Sequence, residues 1–270
     1  TKIAGDISSQ FLSALLMTAP YAQAPIEVEL TTNLNSKPYV AMTIAIMKDF
    51  GVEVERDDYK SFRVPLTNYE LRNTQSVIRN SYAIEADASA ASYFFAAPAI
   101  CGGSVQVENI SRKSVQGDVN FLDVLAQMGC EVKETDNSIL VTRSSSLHGV
   151  DIDMRDIPDT AQTLAAVAPF ANTPTRIRGI ASARVKETDR VHATCMELDR
   201  LGVRVEEHED GMTIYPVEKM RSASIQTYND HRMAMAFSLI GLRFDGVTIE
   251  NPSCVSKTFP NYFEVLETLR

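Results

Sequence analysis

A unit of about 75 residues recurs along this chain, and no other feature restricts its fold as strongly. Residues 44–51 run into 52–55, residues 124–129 into 130–133, and residues 196–202 into 203–206 with one shared pattern. Each reads as an amphipathic helix closed by a glycine (Gly51, Gly129, Gly202), then an alternating strand. Glycine suits that position because left-handed backbone costs it no Cβ clash. A polar turn follows at 56–58, 135–137 and 208–211, and a second short strand makes each a hairpin.

A second element alternates with the first. Segments 11–21, 88–99, 160–170 and 231–242 are rich in Ala, Ser, Met and Phe, which predicts helices buried almost all round. Each leads into a strand, at 26–30, 104–107, 175–178 and 246–249, and each has an aspartate near its start: Asp6, Asp87, Asp159 and Asp230. Read cyclically, the unit is βαβαββ, which makes the chain α/β in class and longer in repeat than a solenoid. Three units are complete. A fourth stops inside its amphipathic helix, 259–270, and residues 1–4 read as the tail of an earlier strand. That interruption predicts a chain that is part of a longer protein or needs a second polypeptide; degenerate terminal repeats are the other reading.

Composition removes several classes. Asp plus Glu number 35 against 26 Lys plus Arg, a net charge of −9, which argues against a general nucleic-acid binder. No apolar run approaches the ~18 residues of a membrane span, and residues 1–6 do not resemble a signal peptide. Cys101, Cys130, Cys195 and Cys254 show no C-x-x-C spacing, so a zinc or redox motif is not indicated; they read as reduced structural thiols of a cytoplasmic protein. There is no Walker A, no G-x-G-x-x-G and no metal-ligand spacing.

Polar clusters stand at the helix starts, where free backbone N–H groups and the dipole favour anions. They are Ser8-Ser9-Gln10, Ser36-Lys37-Pro38-Tyr39, Ile157-Pro158-Asp159, Arg184 to Arg190, Asn229 to Arg232, and Ser256 to Pro260. Each has an ordinary reading: capping Ser or Asp, Pro near the first helical position, or a solvated charged face. On a helix, Lys186 and Arg190 would repel at four residues apart, and Glu187 would partly offset this. Lys257 at a helix start would oppose the dipole unless an anion lay nearby. Taken together, Lys186, Arg190, Arg232 and Lys257 predict a site for a multiply anionic small molecule, with Asp159 able to act as a base.

These segments resemble the 5-enolpyruvylshikimate-3-phosphate (EPSP) synthase family, the 3-phosphoshikimate 1-carboxyvinyltransferases. The matching stretches are Gly5 to Phe11, Ser36 to Tyr39, Ile157 to Asp159, Arg184 to Arg190, Asp230 to Met235 and Ser256 to Pro260, in order along all 270 residues. The resemblance implies a two-domain, inside-out α/β fold of βαβαββ units. Residues 1–84 would be the latter part of one domain and 85–270 most of the other, with the family's first ~160 residues lacking a counterpart. It implies transfer of the enolpyruvyl group of phosphoenolpyruvate to the 5-hydroxyl of shikimate 3-phosphate by addition and elimination, with no metal or organic cofactor. Ser8, Ser9, Gln10, Ser36, Tyr39, Asp159, Ser182 and Lys186 would bind shikimate 3-phosphate. Gln10, Arg190, Arg232 and Lys257 would bind phosphoenolpyruvate. Asp159 would accept the proton of the 5-hydroxyl and Glu187 would donate one to the methylene carbon.

Two departures matter. Position 182 is Ser where many family members carry Asn, and the family's N-terminal Lys, Ser and Arg contacts and Gly-rich loop are absent. The chain alone is therefore expected to have little or no activity, and a complementing N-terminal polypeptide is the expected partner. Two other functions remain in view: transfer to UDP-N-acetylglucosamine on the same fold, and a non-catalytic or complementing subunit.

Overall fold

The computed structural model describes residues 1–66 and 81–269. The chain divides into two compact units: Thr1–Glu85 with Val115–Gly117, and Ala86–Ser114 with Asp118–Arg270.

In the first unit, strand β1 (Lys2–Ile3), helix α1 (Ser9–Thr18), strand β2 (Ile26–Leu30), helix α2 (Lys37–Asp49) and the hairpin β3 (Glu55–Asp57) and β4 (Ser61–Val64) follow in order. The sheet runs β1-β2-β4-β3; β1 is parallel to β2 and the other pairs are antiparallel. Alternation in β2 turns Val28 inward opposite Phe62, while Glu27 and Glu29 face water. Leu12 and Leu16 of α1 and Val40 of α2 close over Val28, Phe62 and Val64. Burying each such large side chain stabilises by roughly 1.5–3 kcal/mol.

The second unit repeats this scheme. Helix α3 (Ala88–Cys101), strand β5 (Gly103–Glu108), helix α4 (Phe121–Gln127) and strands β6 (Glu131–Glu134) and β7 (Ser138–Arg143) form one repeat. Strand β8 (Asp151–Asp153), helix α5 (Ala161–Val167), strand β9 (Thr175–Arg178), helix α6 (Arg190–Arg200) and strands β10 (Val205–His208) and β11 (Gly211–Ile214) form the next. Strand β12 (Ala223–Ile225), helix α7 (His231–Ile240), strand β13 (Val247–Ile249) and helix α8 (Tyr262–Glu267) follow. The sheets run β5-β7-β6, β8-β9-β11-β10 and β12-β13, so wherever both strands are described the first lies parallel to the second.

Helices α3, α5 and α7 meet at the centre, with the sheets around them. Ala96, Ala99, Ala165, Ala234 and Ala236 are fully buried there, because methyl side chains let helix backbones approach closely. The helices are buried almost all round, as the small-residue segments predict, and the arrangement is the inside-out one that the resemblance implies.

The repeat's glycines do what the pattern required. Gly51, Gly129 and Gly202 have φ of 78°, 108° and 80°. After each, the chain turns back with the same bond: Val52 N–H to Met47 O at 2.8 Å, Cys130 to Leu125 at 3.0 Å and Val203 to Leu198 at 3.0 Å. That i to i−5 bond is the Schellman closure, which satisfies a carbonyl the helix leaves open.

One boundary differs from expectation. The last helix begins at Tyr262 rather than near 259, because residues Pro252–Lys257 coil into a 3-10 turn first. Arg270, the expected end of that helix, lies outside the described residues. All four cysteines are free; Cys195 and Cys130 are buried, which pushes their thiols up to about 12 and about 11, while Cys101 is exposed. No helix among the described residues is long and apolar enough to cross a membrane.

Candidate functional site

The second unit gathers its charges around one guanidinium. Arg190 is the first residue of α6, whose start Asp189 caps by accepting from His192 N–H at 2.9 Å. The Arg190 side chain is only 3% exposed and reaches three carboxylates. Its Nε donates to Asp230 at 2.7 Å, Nη1 to Asp159 at 3.0 Å and Nη2 to Glu187 at 2.6 Å. Arg232, in the first turn of α7, donates from Nη2 to the other oxygen of Asp159 at 2.8 Å. Lys257 Nζ donates to the other oxygen of Glu187. Lys186 lies close enough to Asp159 to act on its charge. The structure thus brings together Asp159, Lys186, Glu187, Arg190, Arg232 and Lys257, drawn from two successive repeats.

Local structure explains these placements and overturns several ordinary readings. Asp159 does not cap a helix. It sits in a 3-10 turn (Pro158–Thr160) ahead of α5, and Arg190 and Arg232 take both its oxygens. Lys186 and Arg190 do not share a helix: Lys186 follows a 3-10 turn (Ala181–Val185) and α6 starts only at Arg190. The helical four-residue repulsion therefore does not arise. Lys257 ends a 3-10 turn instead of opening a helix, a position where a cation suits the dipole. Its carboxylate partner is Glu187.

The electrostatics follow from this geometry. Burial alone would raise the Asp159 carboxyl, but Arg232, Arg190 and Lys186 outweigh it and hold it below its ordinary value. Burial likewise opposes ionisation of Glu187, yet the Lys257 hydrogen bond and the Arg190 charge bring it down to about 2. His231, at the start of α7, is pushed down by burial and then by the Arg232 charge, which favours the neutral ring. Ser182 is buried in the 3-10 turn, and its hydroxyl has no partner among the described residues.

In the first unit the hydroxyls stand at two helix starts. Ser8 caps α1, accepting from Gln10 N–H at 3.3 Å, as the ordinary reading held. Ser9 is buried and Gln10 exposed. Ser36 does not cap α2 through its side chain; it is buried in left-handed backbone with φ of 56°. Tyr39 N–H donates to Ser36 O at 3.1 Å, and the Tyr39 carbonyl accepts the Thr43 hydroxyl at 2.9 Å. Thr43 and Ser13 share a hydrogen bond of 2.8 Å, which ties α2 to α1.

Two further residues join this cluster. Asp230, a helix-start aspartate within the charged stretch Asn229 to Arg232, has no site role in the sequence analysis, yet it is fully buried, caps α7 through Arg232 N–H at 2.8 Å and also clamps Arg190. A charged residue leading straight into an apolar helix was the available signal. Tyr93, fully buried in α3, comes within the fields of Arg232, Arg190 and Asp159; burial raises its hydroxyl and the two arginines oppose this. A tyrosine inside an Ala-rich helix gives no sequence sign of such a neighbourhood.

Solved structures share this architecture. An EPSP synthase of Acinetobacter baumannii superposes with a TM-score of 0.79 at 23% identity, covering 99% of this chain and 62% of that one. The enolpyruvyl transferase NikO of Streptomyces tendae gives 0.69 at 17%, covering 95% and 57%. The fold is therefore that of the enolpyruvyl transferases.

Sequence relationship narrows the class. A 3-phosphoshikimate 1-carboxyvinyltransferase of Sulfurovum sp. is 49% identical over 269 residues, 99% of this chain and 61% of the relative. One of Shewanella denitrificans is 48% identical over 261 residues, 97% and 59% respectively. The family model for EPSP synthase (3-phosphoshikimate 1-carboxyvinyltransferase) matches residues 1–266, and the chain belongs to that family. It spans about 60% of the length of the curated relatives it matches.

Proposed function

We propose that this chain contributes to transfer of the enolpyruvyl group of phosphoenolpyruvate to the 5-hydroxyl of shikimate 3-phosphate, with release of phosphate, a step of aromatic amino-acid biosynthesis. The observation that carries this reading is the convergence of Arg190, Arg232 and Lys257 on Asp159 and Glu187. Three fixed cations suit a substrate bearing both carboxylate and phosphate. Two carboxylates among them suit a reaction that takes one proton from a hydroxyl and gives one to carbon.

In this reading Arg190, Arg232, Lys257 and Gln10 bind phosphoenolpyruvate. Ser8, Ser9, Gln10, Ser36, Tyr39, Ser182, Lys186 and Asp159 bind shikimate 3-phosphate. The 5-hydroxyl oxygen bonds to the central carbon of phosphoenolpyruvate, its proton going to Asp159, while Glu187 protonates the methylene. The tetrahedral adduct then loses phosphate and a methyl proton to restore the double bond. Fixed cations stabilise the charge gathered on the adduct.

The protonation states require a coupling. A Glu187 carboxyl near 2 holds no proton to give at neutral pH. An anion on Arg190 and Lys257 shares the N–H groups that Glu187 accepts from, and its own charge raises both carboxyls. Binding of phosphoenolpyruvate is therefore expected to take up protons. Calorimetry in buffers of different ionisation enthalpy checks this; uptake that is absent across mildly acidic pH contradicts it.

The complete reaction draws on a complementing N-terminal polypeptide, and we infer a cytoplasmic setting in which the four thiols stay reduced. The deciding experiment is phosphate release from phosphoenolpyruvate, with the chain alone and with a polypeptide supplying the remaining ~40% of the relatives' length. Turnover with shikimate 3-phosphate only in the presence of that polypeptide is expected. Turnover with UDP-N-acetylglucosamine instead, or with neither acceptor, refutes the reading.

A further inference from the structure

Arg184 belongs to the densest charged stretch of the sequence, yet neither substrate role nor proton transfer uses it. It lies in the 3-10 turn Ala181–Val185, and its guanidinium makes four contacts. Nη1 donates to Asp189 at 2.9 Å and approaches Glu207 at 2.8 Å. Nε donates to the carbonyl of Glu209 at 3.0 Å and Nη2 to that of His208 at 2.7 Å. The last two carbonyls belong to the tip of the β10–β11 hairpin. Glu207 is held from its other side by His192 Nδ1 of α6 at 2.9 Å.

These contacts close a loop on itself. Arg184 stands at one end of the segment 184–189 and grips Asp189 at the other, where Asp189 also caps α6. Past the 3-10 turn, residues 186–188 of this segment, with Lys186 and Glu187 among them, lie in no helix or strand. A planar fork with five donors can hold four acceptors in fixed directions; a lysine ammonium cannot.

We propose that Arg184 is a positioning residue, which locks the 184–189 loop onto the β10–β11 hairpin and thereby sets Glu187 between Arg190 and Lys257. It touches neither substrate in the reading above. The inference rests on that reading for the purpose of Glu187, so its test reads geometry and needs no ligand.

The test follows the Glu187 carboxyl by carbon-13 NMR during acid titration of the 270-residue chain, in the wild type, Arg184→Met and Arg184→Lys. The groups facing Glu187 are Arg190 of α6, His231 of α7 and Lys257 of the 3-10 turn. The wild-type carboxyl should stay ionised to about pH 2. In Arg184→Met its midpoint should rise by about 1 pH unit or more, because the loop relaxes away from two cations. Arg184→Lys should rise by less. A lower melting temperature with an unshifted midpoint would make Arg184 merely structural and overturns the proposal, as does a wild-type midpoint near the ordinary glutamate value. Should Arg184→Met fail to melt cooperatively, Glu207→Leu, which removes one contact of four, takes its place: a smaller rise supports the proposal and none overturns it. Failure of the wild-type chain and its complement to turn over would refute the functional reading and leave this result standing.

Discussion

Asp87 and Asp159 occupy the same place in successive repeats, at the start of a small-residue helix, and do opposite work. Asp87 is exposed and caps α3, accepting from Ala90 N–H at 3.0 Å. Asp159 leaves its helix uncapped and gives one oxygen to Arg190 of its own repeat and the other to Arg232 of the next. The backbone of the repeat is indifferent to this choice. What differs is whether Arg190 and Arg232 stand opposite, so the repeat backbone supplies the place and the facing side chains supply the chemistry.

Substitutions at these positions separate the two aspartates. Arg190→Met takes the guanidinium from Asp230, which is 0% exposed and keeps only the Arg232 N–H and the nearby His231 ring, and takes one partner from Asp159. Removing one member of a buried ion pair costs ~3–5 kcal/mol, readable as a fall in the urea midpoint. Asp159→Asn keeps the shape but loses two charge-assisted bonds, roughly 2–3 kcal/mol. In the complemented enzyme it should also lower turnover by ~10²–10⁴-fold, the usual weight of general base catalysis. Asp87→Ala should cost only about 1 kcal/mol, the ordinary weight of a cap. Equal costs at 87 and 159 would refute the distinction.

Acid sharpens it further, with a smaller effect. Glu187 has a folded value of about 2 against an ordinary 4.5. A carboxyl lowered on folding stabilises the protein above its unfolded value, and that contribution disappears as pH falls through the folded one. Stability should therefore decline between about pH 4.5 and about pH 2 in the wild type, and less steeply in that window in Glu187→Gln. Parallel urea series at falling pH would reveal no difference if Glu187 were not held by Arg190 and Lys257.

The repeats were legible because hydrophobic period and glycine placement are local, and the Schellman closures at Gly51, Gly129 and Gly202 are local too. The six cationic and carboxylate members of the second unit's cluster were also legible, through spacing and resemblance. Their partners were not. Nothing in the sequence says that Asp159 faces Arg190 across 31 positions, or that Glu187 faces Lys257 across 70. Those pairings depend on how three helices pack. The helical spacing of Lys186 and Arg190 does not apply for a related reason: Asp189 caps α6 at Arg190, so the residues before it lie outside the helical period, and Arg184 ties them to the β10–β11 hairpin.

The crowd of alanines where α3, α5 and α7 meet has a consequence for inheritance as well as for packing. Ala165 and Ala234 are fully buried on helices whose N-terminal ends hold Asp159, Asp230 and Arg232. A larger side chain there would force helices apart at a cost of typically 1–3 kcal/mol. The displacement would reach the ion pairs, whose strength depends on tenths of an ångström. The interior thus works as a gauge block for the charges it carries. Lesions that silence the chemistry should therefore arise among residues that never approach a substrate.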